Sequence, residues 1–135
     1  MRRHLYKMAL GAISAVLLGH LLAYRFYWYA TIYGFDKVVH LFGGIATAYI
    51  LAALWSNYIE HATTHSVWKR LLLLSFIVGV GWECFEYVIQ FFVGGPTIAT
   101  PIDSVGDVVF DMLGASIATF FVLLIKKRYN TSNER

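Results

Sequence analysis

Four long apolar segments dominate this chain of 135 residues and constrain its fold more than any other feature. Each is about as long as the roughly 20 residues that an α-helix needs to cross the hydrocarbon core of a bilayer. Hydrophobic residues make up 59% of the chain and charged residues only 14%, which is too apolar for a soluble domain of this size. The sequence therefore predicts an all-α membrane bundle of four transmembrane helices, at about residues 8–29, 37–55, 71–93 and 105–125.

The first apolar segment follows a basic stretch, as the hydrophobic part of a secretory signal peptide does. No small residues at cleavage-site spacing come after it. Instead the chain continues with the aromatic cluster Tyr24–Tyr29, a composition typical of the membrane–water interface. We therefore interpret the segment as a retained first helix. It belongs to a single transmembrane domain, residues 1–128, which a polar tail, residues 129–135, follows.

Basic residues are distributed unevenly around these segments. If the N-terminus is cytoplasmic, nine lysines and arginines fall inside and only Arg25 and Lys37 fall outside. Because cytoplasmic loops carry the excess of Lys and Arg, we expect both termini in the cytoplasm and the protein in the bacterial inner membrane. The net charge of +3 then reflects topology, and no nucleic-acid partner is expected. The expected partners are membrane lipids and, because four short helices enclose little space, further copies of the chain.

The third apolar segment contains two carboxylates that need partners. Glu83 lies near the midpoint of residues 71–93, and Glu86 lies one turn further on. An ionised carboxylate at the centre of a membrane helix costs about 2.5–3.5 kcal/mol on insertion scales. These two side chains are therefore expected to face the interior of the bundle, where the other helices must supply polar partners.

Polar residues occur at the same depth in the second and fourth segments. At 1.5 Å per residue, six of the eight acidic residues fall in the outer half of the predicted bundle. Spacings of three and four residues place them on single helix faces. The faces comprise Asp36 and His40; Glu83, Glu86, Tyr87 and Gln90; and Asp103, Asp107 and Asp111. We expect these three faces to meet in one pocket.

An oxygen-rich pocket with an imidazole can bind a divalent metal ion, whose identity the residues leave open. The predicted metal ligands are His40, Glu86, Asp107 and Asp111. Glu83, Glu86 and Asp111 are the predicted catalytic acids or bases. Asp36, Lys37, Tyr87, Gln90 and Asp103 are the predicted substrate contacts. Without a metal, some acids would hold protons, or would act only as hydrogen-bonding links between helices.

The remaining polar and small residues receive structural interpretations. Gly43, Gly44, Thr47 and Ala48 predict a close helix–helix contact. Asp103 or Ser104 is predicted to cap the fourth helix after a turn-rich connector, Gly94–Ser104. His20 is expected to be a hydrogen-bonded buried histidine, although a place in the pocket stays open. His61 and His65 are expected in a solvated loop. The lone cysteine, Cys84, excludes an intramolecular disulfide and is expected to be buried.

The sequence resembles two related groups of bacterial membrane proteins, the VanZ-like and YjdF-like families, over Asp36 to Ala115. The motifs that carry this resemblance are Asp36-Lys37-x-x-His40, Trp82-Glu83-x-x-Glu86 with Gln90, and Asp103-x-x-x-Asp107-x-x-x-Asp111-x-x-Gly114-Ala115. The aspartate at 111, where VanZ-like proteins often have asparagine, is closer to the YjdF-like pattern. The resemblance implies a helical inner-membrane protein of the cell envelope. The VanZ-like family is linked to glycopeptide resistance, so resemblance to that family implies the same link for this chain.

Our leading hypothesis is a cell-envelope membrane protein whose acidic pocket binds a divalent cation and acts on a lipid or envelope precursor. A small transporter or a proton- or cation-binding protein is the first alternative, and a non-catalytic membrane scaffold is the second. Whether the chain is an enzyme stays open at this point. The sequence shows no Ser-His-Asp arrangement, glycine-rich phosphate loop or nucleotide motif.

Overall fold

The computed structural model describes residues 1–93 and 100–133, and all regular structure within these ranges is helical. Four of the helices described there are long and apolar enough to cross a membrane, which confirms the predicted all-α fold with four membrane-length helices. The helices are α1 (Arg2–Arg25), α2 (Trp28–Thr31), α3 (Phe35–Leu54), α4 (Ser56–His61), α5 (Thr64–Val93) and α6 (Pro101–Asn133). The long ones are α1, α3, α5 and α6.

The first helix ends at Arg25, four residues before the predicted boundary at residue 29. Tyr27 adopts a left-handed backbone conformation, with φ of 58°, which no α-helix can continue through. The short helix α2 follows, and Gly34 (φ 74°) then turns the chain into α3. Ring contacts fix this corner, since Trp28 and Tyr29 both pack edge-on against Phe35.

Helices α5 and α6 extend well beyond their apolar segments. Helix α5 begins at Thr64 instead of residue 71, and the Thr63 hydroxyl caps it by accepting a hydrogen bond from the Ser66 amide (3.2 Å). The region predicted as a polar loop therefore contains α4 and the first turns of α5. Helix α6 continues to Asn133, so the polar tail is helical as far as the structure describes it.

The predicted cap of the fourth helix is wrong. The Thr100 hydroxyl accepts a hydrogen bond from the Asp103 amide (3.2 Å), and Pro101 occupies the first helical position. Proline suits that position because its fixed φ matches the helix and its missing N–H would have no helical partner there. Asp103 and Ser104 are thus inside the first turn. Residues 94–99 of the predicted connector lie outside the described residues.

Helices α3 and α6 form the centre of the bundle and approach each other closely. A Cβ atom at Gly44 would overlap the backbone carbonyl of Asp111, and one at Gly114 would overlap the backbone carbonyl of Leu41. Gly44, Ala48 and Ala52 of α3 are all buried, at a spacing of four residues. The predicted small-residue contact of this helix is therefore confirmed, and α6 is the partner.

The two ends of the bundle differ in chemistry. An apolar core that includes Leu5, Ala52, Ile59, Leu71 and Val122 occupies the end formed by the start of α1, the end of α3, the start of α5 and the end of α6. Met1 and the end of α6, as far as the structure describes it, belong to this end. The acidic residues of α3, α5 and α6 lie at the other end. Apolar side chains of α1 and α5 are largely exposed, as expected where lipid surrounds a helix.

Candidate cation site

His40 lies at the centre of the polar end, where the first turns of α3 and α6 meet the second half of α5. Its side chain is only 5% exposed. Five carboxylates surround or border it, and we call these six residues the His40 cluster. The cluster comprises Asp36 and His40 of α3, Glu83 and Glu86 of α5, and Asp107 and Asp111 of α6. Three predicted polar faces are therefore brought together at one end of the bundle.

Three carboxylate oxygens face the Nε2 atom of the His40 ring, one from each helix. Glu83 Oε1 and Asp107 Oδ1 each lie 3.8 Å from Nε2, and Asp36 Oδ1 lies 4.0 Å from it. These distances are too long for hydrogen bonds. A second group, His40, Glu83 and Glu86, likewise offers ligand atoms within 4.8 Å of one another. The Nε2 side of the ring is thus lined by acceptors that do not bond to it directly.

The opposite nitrogen of the ring has a different neighbour. His40 Nδ1 lies 3.4 Å from Asp111 Oδ2, which is a long hydrogen bond. If Asp111 is ionised, its carboxylate can only accept, so that Nδ1 would carry the proton in this bond and the lone pair of a neutral ring would be on Nε2. A carboxylate that holds a histidine in this way fixes the ring orientation in many metal sites. Asp111 therefore contacts the Nδ1 side of the His40 ring, and it does not face the space beside Nε2.

Glycines make room for the Asp111 carboxylate between the helices. A Cβ atom at Gly79 of α5 would lie 2.9 Å from Asp111 Oδ2, and one at Gly43 of α3 would lie 3.5 Å from Oδ1. The sequence pattern alone did not connect these glycines with the site. The sequence did contain the information that could have linked them. Glycines at the same depth in neighbouring helices mark a place where a polar side chain can be enclosed.

Lys37 supplies a positive charge at the edge of the cluster. Its Nζ atom lies 2.6 Å from both Asp103 Oδ1 and Asp107 Oδ1, and 3.3 Å from the Asp103 carbonyl. The Asp107 side chain is 5% exposed, whereas that of Asp103 is 53% exposed. Lys37 therefore bridges the exposed Asp103 at the rim and the buried Asp107 inside the cluster. Its ammonium group offsets part of the negative charge of these carboxylates.

The Glu83 and Glu86 carboxylates differ in how they are held. Glu86 accepts a hydrogen bond from the Trp82 indole N–H (2.9 Å). The Glu83 side chain is only 10% exposed, and its Oε1 atom is buried without a hydrogen-bond partner in the described structure. A buried oxygen without a hydrogen-bond partner is unfavourable by about 1–3 kcal/mol, and by more if it is charged. This oxygen lies 3.8 Å from His40 Nε2, on the same side of the ring as the carboxylates of Asp36 and Asp107.

The chain matches the model of a family of predicted membrane proteins, DUF2238, over residues 1–128. It belongs to that family. The match covers nearly the whole chain and agrees with the four membrane-length helices. No curated protein and no solved structure matches the chain. The match establishes a membrane protein, while the finer relation to VanZ-like and YjdF-like proteins and the choice of membrane stay predictions.

Three of the predicted substrate contacts lie at or beyond the edge of the cluster in this family member. Tyr87 is 62% exposed and points away from the bundle, because the 100° step from Glu86 carries it to the side of α5. Gln90 is partly buried one turn beyond Glu86. Asp103 contacts Lys37 only at the rim. The remaining predicted residues, Asp36, Lys37, His40, Glu83, Glu86, Asp107 and Asp111, are gathered in or beside the cluster.

His20 and Tyr29 form a separate hydrogen-bonded pair. His20 Nδ1 lies 2.8 Å from the Tyr29 hydroxyl, so this histidine has a partner as expected, but it is exposed and not buried. Partial burial, together with the nearby carboxylates of Asp36 and Glu86, raises the pKa of Tyr29 to about 12. Tyr29 therefore borders the cluster as a neutral phenol, and His20 reaches the site only through it.

The cysteine and two of the remaining histidines are exposed and lie outside the cluster. Cys84 lies on the outer side of α5, so the expectation that it is buried is wrong. Its position one residue after Glu83 rotates it away from the interior by 100°. His61 and His65 are exposed in α4 and at the start of α5, where His61 Nδ1 contacts the Asn57 carbonyl (2.9 Å). They take no part in the cluster.

Proposed function

We propose that this chain is an integral membrane protein of the bacterial cell envelope that binds a divalent cation in the His40 cluster. The observation that carries the proposal is the set of oxygens around His40 Nε2. Three helices each direct one carboxylate oxygen to within 3.8–4.0 Å of that nitrogen. One of these oxygens, Glu83 Oε1, is buried without a hydrogen-bond partner among the described residues.

The distances leave room for a cation between these atoms. Metal–ligand bonds of about 2.1 Å in a tetrahedral site place any two ligand atoms roughly 3.4 Å apart. The three oxygens lie 3.8–4.0 Å from Nε2. Each would therefore move toward the ring by about half an ångström when a cation of this geometry binds. One imidazole among carboxylates suits Mn²⁺, Fe²⁺ or Zn²⁺ better than an all-oxygen cage would.

Charge balance also favours a bound cation. The cluster contains five carboxylates, and Lys37 is the one basic side chain that an ion pair joins to them in the described structure, apart from His40 itself. Buried charges without compensation cost several kcal/mol each. A divalent cation beside Nε2 would offset two of these charges at the position where the hydrogen bonding of Glu83 is incomplete. Asp111 would hold the ring without contacting the metal.

We further propose that the site acts on a lipid or a lipid-linked envelope precursor. The exposed rim at Asp103 and Lys37 lies at the mouth of the cluster, near the ends of α3 and α6. At that depth a phosphate group of a membrane lipid could meet both Lys37 and the cation. A bound divalent cation polarises phosphate oxygens and activates water. The excess of basic residues near the opposite end supports a cytoplasmic location for the termini and an outward-facing site in the inner membrane.

Metal analysis of the detergent-purified protein tests the cation site. Wild type should bind about one divalent ion per chain, and a chelator should lower its melting temperature. Glu83→Gln should lose the ion, because the amide replaces an anionic ligand. The matched control is Asp103→Asn, which removes a carboxylate that bonds Lys37 at the exposed rim and should keep the ion. Equal metal content in all three proteins, or none in any, would contradict the proposal. A more stable, metal-free Glu83→Gln would favour a scaffold.

A further inference from the structure

A groove at the end of the bundle opposite the His40 cluster combines apolar and basic walls. It lies between the start of α5 and the last third of α6 and has a volume of about 440 Å³. Thr64 and Trp68 of α5 form one wall. The α6 wall changes in character along the helix, from Phe120, Leu123 and Leu124 to Lys126, Lys127 and Asn130. The site already described uses none of these residues.

The order of these residues along α6 matches the structure of a membrane leaflet. The ten residue steps from Phe120 to Asn130 cover about 15 Å of helix, which is roughly half of a hydrocarbon core. Phe120 and Leu124 are exposed on the part of α6 that is apolar throughout. The two lysines follow where the apolar segment ends. An acyl chain can therefore lie on the apolar wall while a headgroup reaches the basic wall.

The basic wall is able to bind an anion. Lys126 is positioned by a hydrogen bond from its Nζ atom to the Ala62 carbonyl, while Lys127 is exposed. Thr64 begins α5, a helix of 30 residues, so the positive end of the helix dipole also faces this groove. Arg70 lies at the same end, with its guanidinium 4.1 Å from the centre of the Tyr58 ring. These charges near the groove mouth thus favour a negative ligand.

We propose that this groove binds one anionic phospholipid, with its phosphate at Lys126 and Lys127 and an acyl chain along Phe120 and Leu124. Charge complementarity selects an anionic over a zwitterionic headgroup. The apolar wall selects a lipid over a soluble phosphate compound. The site is independent of the cation proposed for the His40 cluster, so either proposal can fail alone.

Native mass spectrometry of the full chain in a neutral detergent tests the lipid site. The protein is titrated with phosphatidylglycerol, with phosphatidylcholine of the same acyl chains, or with inorganic phosphate. Wild type should retain one phosphatidylglycerol and bind it more tightly than phosphatidylcholine, and phosphate should compete weakly. Lys127→Gln should weaken phosphatidylglycerol binding about fivefold, the effect of one interfacial basic residue. Lys127→Arg should restore it.

Arg128→Gln provides the matched control, because it removes the same charge from the next residue, which does not line the groove. It should leave phosphatidylglycerol binding within twofold of wild type. Equal losses in Lys127→Gln and Arg128→Gln would overturn the proposal in favour of general electrostatic attraction to the surface. Equal retention of the two lipids, or full displacement by inorganic phosphate, would also overturn it. Lys127 is exposed, so the variant is expected to fold.

Discussion

Replacing Gly79 by alanine would disturb the support of His40 without touching a ligand of the proposed cation. The added Cβ atom would lie 2.9 Å from Asp111 Oδ2, and 3.6 Å from both Cβ and Cγ of the same side chain. Carbon and oxygen atoms in ordinary contact are farther apart, so the carboxylate must move by a few tenths of an ångström. The displaced oxygen is the one that His40 Nδ1 contacts at 3.4 Å, already near the limit of a hydrogen bond.

The expected consequence is weaker cation binding in a protein that still folds. Loss of a carboxylate that orients a metal-bound histidine typically lowers metal affinity by about 10–100-fold, or about 1.4–2.7 kcal/mol. The strain falls on the end of a side chain, and alanine favours a helix over glycine by up to about 1 kcal/mol. The melting temperature of the metal-free Gly79→Ala protein should therefore stay close to that of wild type.

Gly81→Ala is the matched control for this experiment. It makes the same substitution two residues further along α5, where an added Cβ meets nothing within 4 Å. Titration of the metal-free proteins with Mn²⁺, followed by calorimetry, gives the affinities. Gly81→Ala should bind as wild type does, and Gly79→Ala should bind at least about tenfold more weakly. Equal affinities in the two variants would refute the role given to Asp111 and to the Nδ1 hydrogen bond.

Three other predictions concern stability. Gly114→Ala should destabilise the bundle by several kcal/mol in thermal or denaturant unfolding, because its Cβ would overlap the Leu41 carbonyl; Gly19→Ala, with open space around it, should not. Lys37→Gln should destabilise the metal-free protein by about 3 kcal/mol, since it leaves Asp107 buried without its counter-charge, and added Mn²⁺ should stabilise this variant more than wild type. Wild-type stability should fall as pH rises from about 10 toward 12, because the unfolded chain loses the Tyr29 proton first while the pKa of folded Tyr29 is about 12. Tyr29→Phe should weaken that decline relative to wild type, and an identical alkaline profile in the two proteins would contradict it.

The sequence predicted that the polar faces of the second, third and fourth long helices would meet. Two physical arguments led to this prediction. Helical periodicity places Glu83 and Glu86 on one side of α5, and the penalty for charge in lipid requires that side to face inward. The same argument applies to Asp107 and Asp111. Depth along each helix follows from counting residues, so the common level of the three faces could be predicted from the sequence alone.

Atomic roles inside the cluster could not be obtained from spacing. Asp111 was predicted as a metal ligand and a catalytic group, and the structure places it on His40 Nδ1, opposite the space that the other carboxylates face. The side of an imidazole that a carboxylate meets depends on rotamers and on helix separation. Here glycines at positions 43, 44, 79 and 114 set that separation. The sequence showed the glycines but not which side chain they would enclose.

Helix ends were also misplaced, for a reason that hydrophobicity cannot reveal. Apolar length marks where a helix meets the membrane boundary, and caps decide where it stops. Thr63 and Thr100 start α5 and α6 through side-chain hydrogen bonds to the backbone. The left-handed Tyr27 ends the first helix inside an aromatic cluster that looked continuous. The two residues that follow it, Trp28 and Tyr29, pack their rings against Phe35, a contact between separate helices that spacing along one helix cannot show.

Pulsed electron paramagnetic resonance of Mn²⁺ bound to the full chain tests the central claim most directly. The account predicts one tightly bound ion whose spectrum shows coupling to a single imidazole nitrogen, the Nε2 atom of His40. That coupling should vanish in His40→Gln, together with most of the bound Mn²⁺, and persist in His61→Gln, which removes an exposed histidine far from the cluster. Bound Mn²⁺ without nitrogen coupling, or an unchanged coupling in His40→Gln, would contradict the account.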